Sequence, residues 1–186
     1  MDEDYYEIIG SKKFRIPSMT PAENQIRGHI MFRIGEYLET NEAGYFFGKV
    51  NIRFDDENIL VPDFVVVLKA NESIIDWRGN IHGVPDMVVE VLSRSTKKRD
   101  LTVKKDIYEA NGVREYWIVD PYMKAVSVYL LRDGKYFLDD EYILFDEQDL
   151  NYMTDEEIAA IKHEVPVATL DGLKVPLKYI FKWGYK

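Results

Sequence analysis

The 186-residue sequence contains no cysteine. Disulfides, thiol nucleophiles and cysteine-ligated zinc are thereby excluded, and a reducing cytoplasm is the expected location. No stretch approaches the roughly 18 consecutive apolar residues of a membrane-spanning helix, so no membrane partner is expected. The opening residues, MDEDYYEIIGSKKFRIPS, are acidic and lack the basic-then-apolar order of a secretory signal. Neither a G-x-G-x-x-G nor a Walker pattern occurs, which leaves nucleotide cofactors without support. The three histidines, His29, His82 and His163, are too scattered for ligand spacing and read as ordinary surface or core residues. Ser93 and Ser95 have no nucleophile-elbow glycines around them. Repeats, low-complexity segments and Gly/Ser-rich linkers are missing too. The expected organisation is one domain over residues 20–186, preceded by an N-terminal extension, 1–19.

Charge is present in excess but unevenly. The net charge is −9, and residues 139–157, DDEYILFDEQDLNYMTDEE, hold nine acids and no base. Residues 94–105, RSTKKRDLTVKK, hold six bases and one acid, a local excess of five. Such a basic run is either a solvated helix start or a phosphate-binding patch. The acidic total argues against tight nonspecific duplex binding, which rests on neutralised phosphates. Thirteen tyrosines and nine phenylalanines could stack bases, but most fall on faces that read as core.

Along the chain, residues 21–40 predict an amphipathic helix. Thr20 is the N-cap, Pro21 the first helical residue, and Ile26, Ile30, Ile34 and Leu38 repeat every four positions. YFFGKVNIRF and ILVPDFVVVL read as strands around the turn DDEN. MVVEVL follows as a buried strand, then a helix over 99–111 ended by Gly112, and then the strand REYWIVD stopped by Pro121. AVSVYLL and YFLDDEYILF read as a hairpin turned at RDGK. Thr154 and Glu157 form a capping box, and LDGLKVPLKYIF suggests a strand and a terminal turn. This order implies an α/β fold with a mixed β-sheet flanked by helices.

Two carboxylates stand out inside apolar strands. Glu90 interrupts the buried run MVVEVL, and Asp63 opens FVVVL. An unpaired buried carboxylate costs several kcal/mol, so each needs compensation. Strand alternation puts Asp63 with Val65 and Val67, and Glu90 with Val88 and Leu92. On neighbouring strands the two acids converge. Asp86, roughly 13 Å from Glu90 along the strand, reads instead as a strand-start residue.

The following helix adds a third group. At about 100° per residue, Leu101, Val103, Ile107, Tyr108 and Ala110 share one half of its circumference, and Lys104 falls among them with Asp100 and Asn111. An inward lysine either pairs with the strand carboxylates or snorkels outward along its stem. Two carboxylates and a lysine beside a basic run suit a hard cation such as Mg²⁺, which takes oxygen ligands, acidifies a bound water and neutralises phosphate charge. A structural network balancing buried charge has the same spacing.

The runs VPDFVVV, PDMVVEVLSRST, RDLTVKKDIYEANGVREYWIVDP and LDGLKVPLKYIF, covering roughly Thr20 to Phe181, resemble the Uma-two family of putative restriction endonucleases, within the PD-(D/E)xK nuclease superfamily. The resemblance implies a restriction-endonuclease-like core and Mg²⁺- or Mn²⁺-dependent phosphodiester hydrolysis in DNA. Asp63 and Glu90 match the metal-binding acids, with the Val91 main-chain carbonyl as a further ligand. The superfamily lysine is expected two residues after the acid, where this chain has Leu92. The family pattern moves it onto the next helix, where Asp100, Lys104 and Tyr108 match. Glu23 matches an additional helix acid, although capping explains it equally. Arg94, Lys97, Lys98, Arg99 and Lys105 would attract the nucleic-acid backbone, and a homodimer would suit duplex cleavage. The alternative is a catalytically silent binding or regulatory protein, whose acidic 139–157 segment faces a basic partner.

Overall fold

In the computed structural model, residues 6–182 are described. The isoleucine repeat behind Thr20 becomes helix α1, Pro21–Thr40. Its capping box is closed. The Glu23 amide donates to the Thr20 hydroxyl at 3.3 Å, and the Thr20 amide donates to the Glu23 carboxylate at 2.8 Å. Ile26, Ile30, Ile34 and Leu38 all face inward and are buried. At Gly35 a Cβ would lie 2.6 Å from the Phe46 ring, so the close seat of α1 on the sheet needs a residue without a side chain.

Strands β1 (Tyr6–Ile9) and β2 (Lys12–Arg15) form an antiparallel hairpin. The two apolar runs that follow each break in the middle. The first gives β3 (Gly44–Phe47) and β4 (Ile52–Arg53), and the second gives β5 (Ile59–Leu60) and β6 (Phe64–Leu68). The break in the second falls at Val61–Asp63, where Pro62 has no amide hydrogen to continue a ladder. Both runs change sheets at their breaks. A 3₁₀ turn, Lys69–Ile74, leads to β7 (Ile81–His82) and β8 (Met87–Val91).

Residues 97–111 are helical throughout but not uniform. A short α2 (Lys97–Arg99) runs into a π-helical turn, Asp100–Lys104, and then α3 (Lys105–Asn111). Gly112, at φ +88°, closes it in a left-handed conformation that glycine adopts without strain. The chain continues as β9 (Glu115–Asp120), β10 (Ala125–Arg132) and β11 (Lys135–Ile143), then the short helices α4 (Glu147–Leu150) and α5 (Asp155–Ala159). The pair β12 (Glu164–Pro166) and β13 (Lys174–Pro176) leads into α6 (Leu177–Ile180). The β10–β11 hairpin turns at Asp133 and Gly134, both at positive φ, as the RDGK signal predicts.

The large sheet has the order β11-β10-β9-β8-β6-β3 and is mixed, since β8 and β9 run parallel while the other pairs are antiparallel. The small sheet has the order β2-β1-β5-β4-β7. One face of the large sheet packs on α1 and the C-terminal segment through Phe64, Val66, Val89 and Trp117. The other packs on the small sheet and α3 through Val65, Val67, Val88 and Tyr116. Burying a side chain of this size contributes about 1.5–3 kcal/mol, so both interfaces are substantial. The α/β mixed sheet flanked by helices is as expected. The N-terminal extension is not, because β1 pairs with β5 and residues 6–15 are part of the small sheet.

A candidate active site between the two sheets

Register brings the two strand acids together. Phe64 pairs with Val89 on antiparallel β6 and β8, which places Asp63, one residue earlier, beside Glu90. The Val91 amide donates to Asp63 Oδ2 at 2.9 Å. Glu90 is only 3% exposed and lies on the face of β8 that carries Val88 and Leu92.

The helix delivers a column of polar groups, not an apolar stripe. Asp100, Lys104 and Tyr108 are buried, whereas Leu101 and Val103 are exposed. The wheel drawn at 100° per residue puts Leu101, Val103 and Ala110 in the buried half, yet all three are exposed, and within 100–104 the π turn widens the helix. In a regular α-helix, residues four apart drift by about 40° around the axis; the wider turn takes part of that drift back and keeps Asp100, Lys104 and Tyr108 on one face. Lys104 Nζ lies 2.5 Å from Glu90 Oε1, 3.4 Å from Asp100 Oδ1 and 3.3 Å from Glu7 Oε2. The Tyr108 hydroxyl donates to Glu90 Oε1 at 2.8 Å, and the Tyr116 hydroxyl donates to the Asp100 carbonyl at 3.0 Å.

Glu7, from β1, is the group that sequence reasoning missed. Its carboxylate pairs with Arg99 at 3.0 Å, and its buried Oε2 makes no hydrogen bond, with the Lys104 ammonium 3.3 Å away. The available signal was the one that marked Glu90, an acid inside an apolar strand, here YEII. Lys49 was missed too. It approaches Asp63 Oδ1 at 3.9 Å from a position with φ +50°, a conformation that costs a residue with a side chain about 1–2 kcal/mol.

Electrostatics follow from burial. Desolvation pushes the Glu90 carboxyl well above its ordinary value, Asp100 and Asp63 push the same way, and Lys104 opposes them. Asp63 is raised chiefly by burial, held back by the Val91 amide, Lys104 and Lys49. Burial works against the Lys104 ammonium, yet Glu90, Asp100 and Glu7 outweigh it and hold the lysine charged. Tyr108 is raised well above its ordinary value by burial and by Glu90.

Asp63, Glu90, Val91, Lys104, Asp100, Glu7, Lys49 and Glu23 meet around a cavity of about 30 Å³, which residues 16–19 also line. Five of these are carboxylates; with Arg99, which pairs with Glu7, only three are cations. That imbalance, and a donor set made of oxygen, fits a small hard cation. No three acidic or histidine side chains among the described residues form a ready-made metal cage. Mg²⁺ does not require one, because it keeps several waters and takes one or two carboxylates.

Residues 2–150 match the sequence profile of the Uma2 family, described as a putative restriction endonuclease. The chain belongs to this family. No curated protein sequence matches it. Among solved structures, it is similar to a putative nuclease of the DUF820 group from Anabaena variabilis, with a TM-score of 0.72 at 20% identity. The similarity covers 97% of this chain and 92% of that one, and it establishes a shared fold. Membership of the Uma2 family supports a nuclease function.

For a Uma2 chain, the basic run 94–105 is divided in an informative way. Arg99 turns inward to Glu7 and stacks over Phe14, and Lys104 is in the site. Lys97 pairs with Asp120 at 2.8 Å, Lys105 lies 4.0 Å from the centre of the Tyr129 ring, and Arg94 lies 5.6 Å from that of Tyr122. Lys98 is exposed. Glu23 is buried, lines the cavity and also closes the α1 cap. The histidines lie outside the site. His29 is buried between Gln25 and the Ile180 carbonyl, His82 meets Asp76, and His163 is exposed. No helix among the described residues is long and apolar enough to cross a membrane.

Proposed function

We propose that this Uma2 protein is a Mg²⁺- or Mn²⁺-dependent endonuclease that hydrolyses phosphodiester bonds in DNA. The observation that carries this reading is the cluster of Asp63, Glu90 and Lys104 around one small cavity. Asp63, Glu90 and the Val91 carbonyl would hold the ion, which when bound supplies an acidified water and charge neutralisation at phosphate. Lys104 stays protonated among its three carboxylates and so acts as a donor, orienting the attacking water or stabilising charge on the phosphate oxygens. Asp100 and Tyr108 fix the lysine and Glu90 respectively. Arg94, Lys97, Lys98 and Lys105, none of which lines the cavity, would attract the backbone, whereas Arg99 serves the site through Glu7.

A cavity of about 30 Å³ has room for roughly one water. Substrate on this reading meets a site with little free space around its carboxylates. That tightness also favours a second reading, a silent nuclease-fold protein in which Glu7 and Arg99 permanently engage the site and the acidic 139–157 segment meets a basic partner.

A nicking assay on supercoiled, linear and single-stranded DNA and on RNA, with Mg²⁺ or Mn²⁺, separates the two. Cleavage that disappears in Asp63→Ala, Glu90→Ala and Lys104→Ala, each checked for folding, supports the endonuclease. Metal binding without cleavage of any substrate supports the silent relative. Sedimentation of the same preparations tests the proposed homodimer.

A further inference from the structure

The small sheet has two faces, and only the inner one serves the site. Along β1, Glu7 and Ile9 point inward, while Tyr6 and Ile8 point outward. The outward face is the floor of a groove of about 530 Å³ lined by Tyr6, Ile8, Lys13, Asn51, Arg53, Ile59 and residues of the 76–82 loop. This groove is much larger than the cavity of the candidate active site and shares no lining residue with it.

Its chemistry is specific. Trp77 is 86% exposed, and the Arg78 guanidinium stacks over its indole at 4.6 Å. The loop that presents them is tightly bound. Asp76 accepts from the Arg78 amide at 2.8 Å, the Asn80 amide at 2.9 Å and the Asn80 side chain at 3.0 Å, and it meets His82 at 3.1 Å. A large ring is thus held in solvent by a preorganised turn, where it adds nothing to the core. Lys13, Arg53 and Arg78 face the groove against the single carboxylate of Asp76, whose oxygens are already taken. The Arg53 partner, Asp56, is 99% exposed and can release it to a competing anion. The groove lining thus combines three cations with an aromatic platform, beside the acidic turn of Asp55, Asp56 and Glu57.

We propose that this groove binds an unpaired nucleic-acid strand, with a base stacked on Trp77 and the backbone phosphates neutralised by Lys13, Arg53 and Arg78. A rigid exposed indole flanked by cations suits single strands, whose bases are free to stack, better than duplexes, whose bases are already stacked. The groove would add to the attraction supplied by the divided basic run 94–105. It rests on the nucleic-acid reading of the family but not on catalysis.

The test is fluorescence anisotropy of labelled oligothymidylate, a mixed single strand and a duplex, in EDTA so that nothing is cut. Wild type is compared with Trp77→Ala, Trp77→Phe, Lys13→Ala and, outside the groove, Lys98→Ala. Single-strand affinity that falls about tenfold or more in Trp77→Ala and is partly restored in Trp77→Phe supports the groove. Lys13→Ala should shallow the slope of log K against log salt by about 0.7. Unchanged affinity in Trp77→Ala overturns the proposal. So does a loss seen only with Lys98→Ala, or duplex binding stronger than single-strand binding in every protein. A chain that binds strands in EDTA yet cuts nothing with Mg²⁺ would sink the endonuclease and leave the groove standing.

Discussion

Glu90 on β8 and Glu115 on β9 are buried glutamates on adjacent parallel strands, 3% and 1% exposed, and they point to opposite faces of the large sheet. Glu115 is held by neutral donors. The Trp117 indole donates at 2.7 Å, the Ala168 amide at 3.1 Å and the Thr169 amide at 2.6 Å, which ties the segment before β13 to the sheet. Glu90 has a lysine and a tyrosine on one oxygen, three more carboxylates close by and a cavity in front of it. A carboxylate saturated by N–H groups is a staple. One crowded by other acids and one cation is, on the proposed function, where a metal ion would sit.

Lys104→Met breaks the Glu90 side of this comparison most severely. Removing the central cation leaves Glu90 and Asp100 buried without a counter-charge, Glu7 keeping only Arg99, and breaking a buried pair costs about 3–5 kcal/mol. Urea denaturation should show that loss, and cleavage should fall to background.

Replacing each glutamate by glutamine sharpens the contrast. Glu115→Gln turns an amide group toward N–H donors and should lose about 1–3 kcal/mol while metal binding and cleavage persist. Glu90→Gln removes one of several competing acids, so its stability should change by less than about 1 kcal/mol while metal binding and cleavage disappear. Equal behaviour of the two variants would refute the distinction.

A smaller effect is expected from pH. Burial pushes the Glu115 carboxyl above its ordinary 4.5, with the donors from Thr169, Trp117 and Ala168 holding the shift back. The folded state therefore binds this proton more tightly than the unfolded chain. Its stabilising contribution is complete below 4.5 and is lost as pH rises through the folded value. Urea midpoints taken from pH 4 upward should show the advantage of wild type over Glu115→Gln shrinking as pH rises.

The smallest effect concerns Glu23. Glu23→Gln can still accept from the Thr20 amide, so stability should stay within about 0.5 kcal/mol. Cleavage rates then report whether its charge matters to the site.

Much of this was legible in the sequence. Period-four isoleucines and a capping box mark α1, and acids inside apolar strands mark Asp63 and Glu90. A helical wheel finds Lys104 even though it misplaces Leu101, Val103 and Ala110, and nothing in DLTVK announces a π turn. Glu7 stayed hidden for a different reason. Its partner Arg99 is 92 residues away, and the strand that carries it joins a sheet assembled from fragments only two to four residues long. Breaks such as Val61–Asp63, which send one apolar run into two sheets, are tertiary decisions that alternation along the chain cannot report.

The π turn makes residue count as important as residue identity. Deleting exposed Thr102 would leave every group of the site in the chain, yet a helix returned to α geometry would swing one end of the Asp100–Lys104–Tyr108 column by about 100°. Loops on this protein should absorb insertions and deletions with little harm, whereas this one turn tolerates no change of length. Among homologous chains, conserved spacing between that aspartate and that tyrosine would be a better mark of an intact centre than the lysine alone.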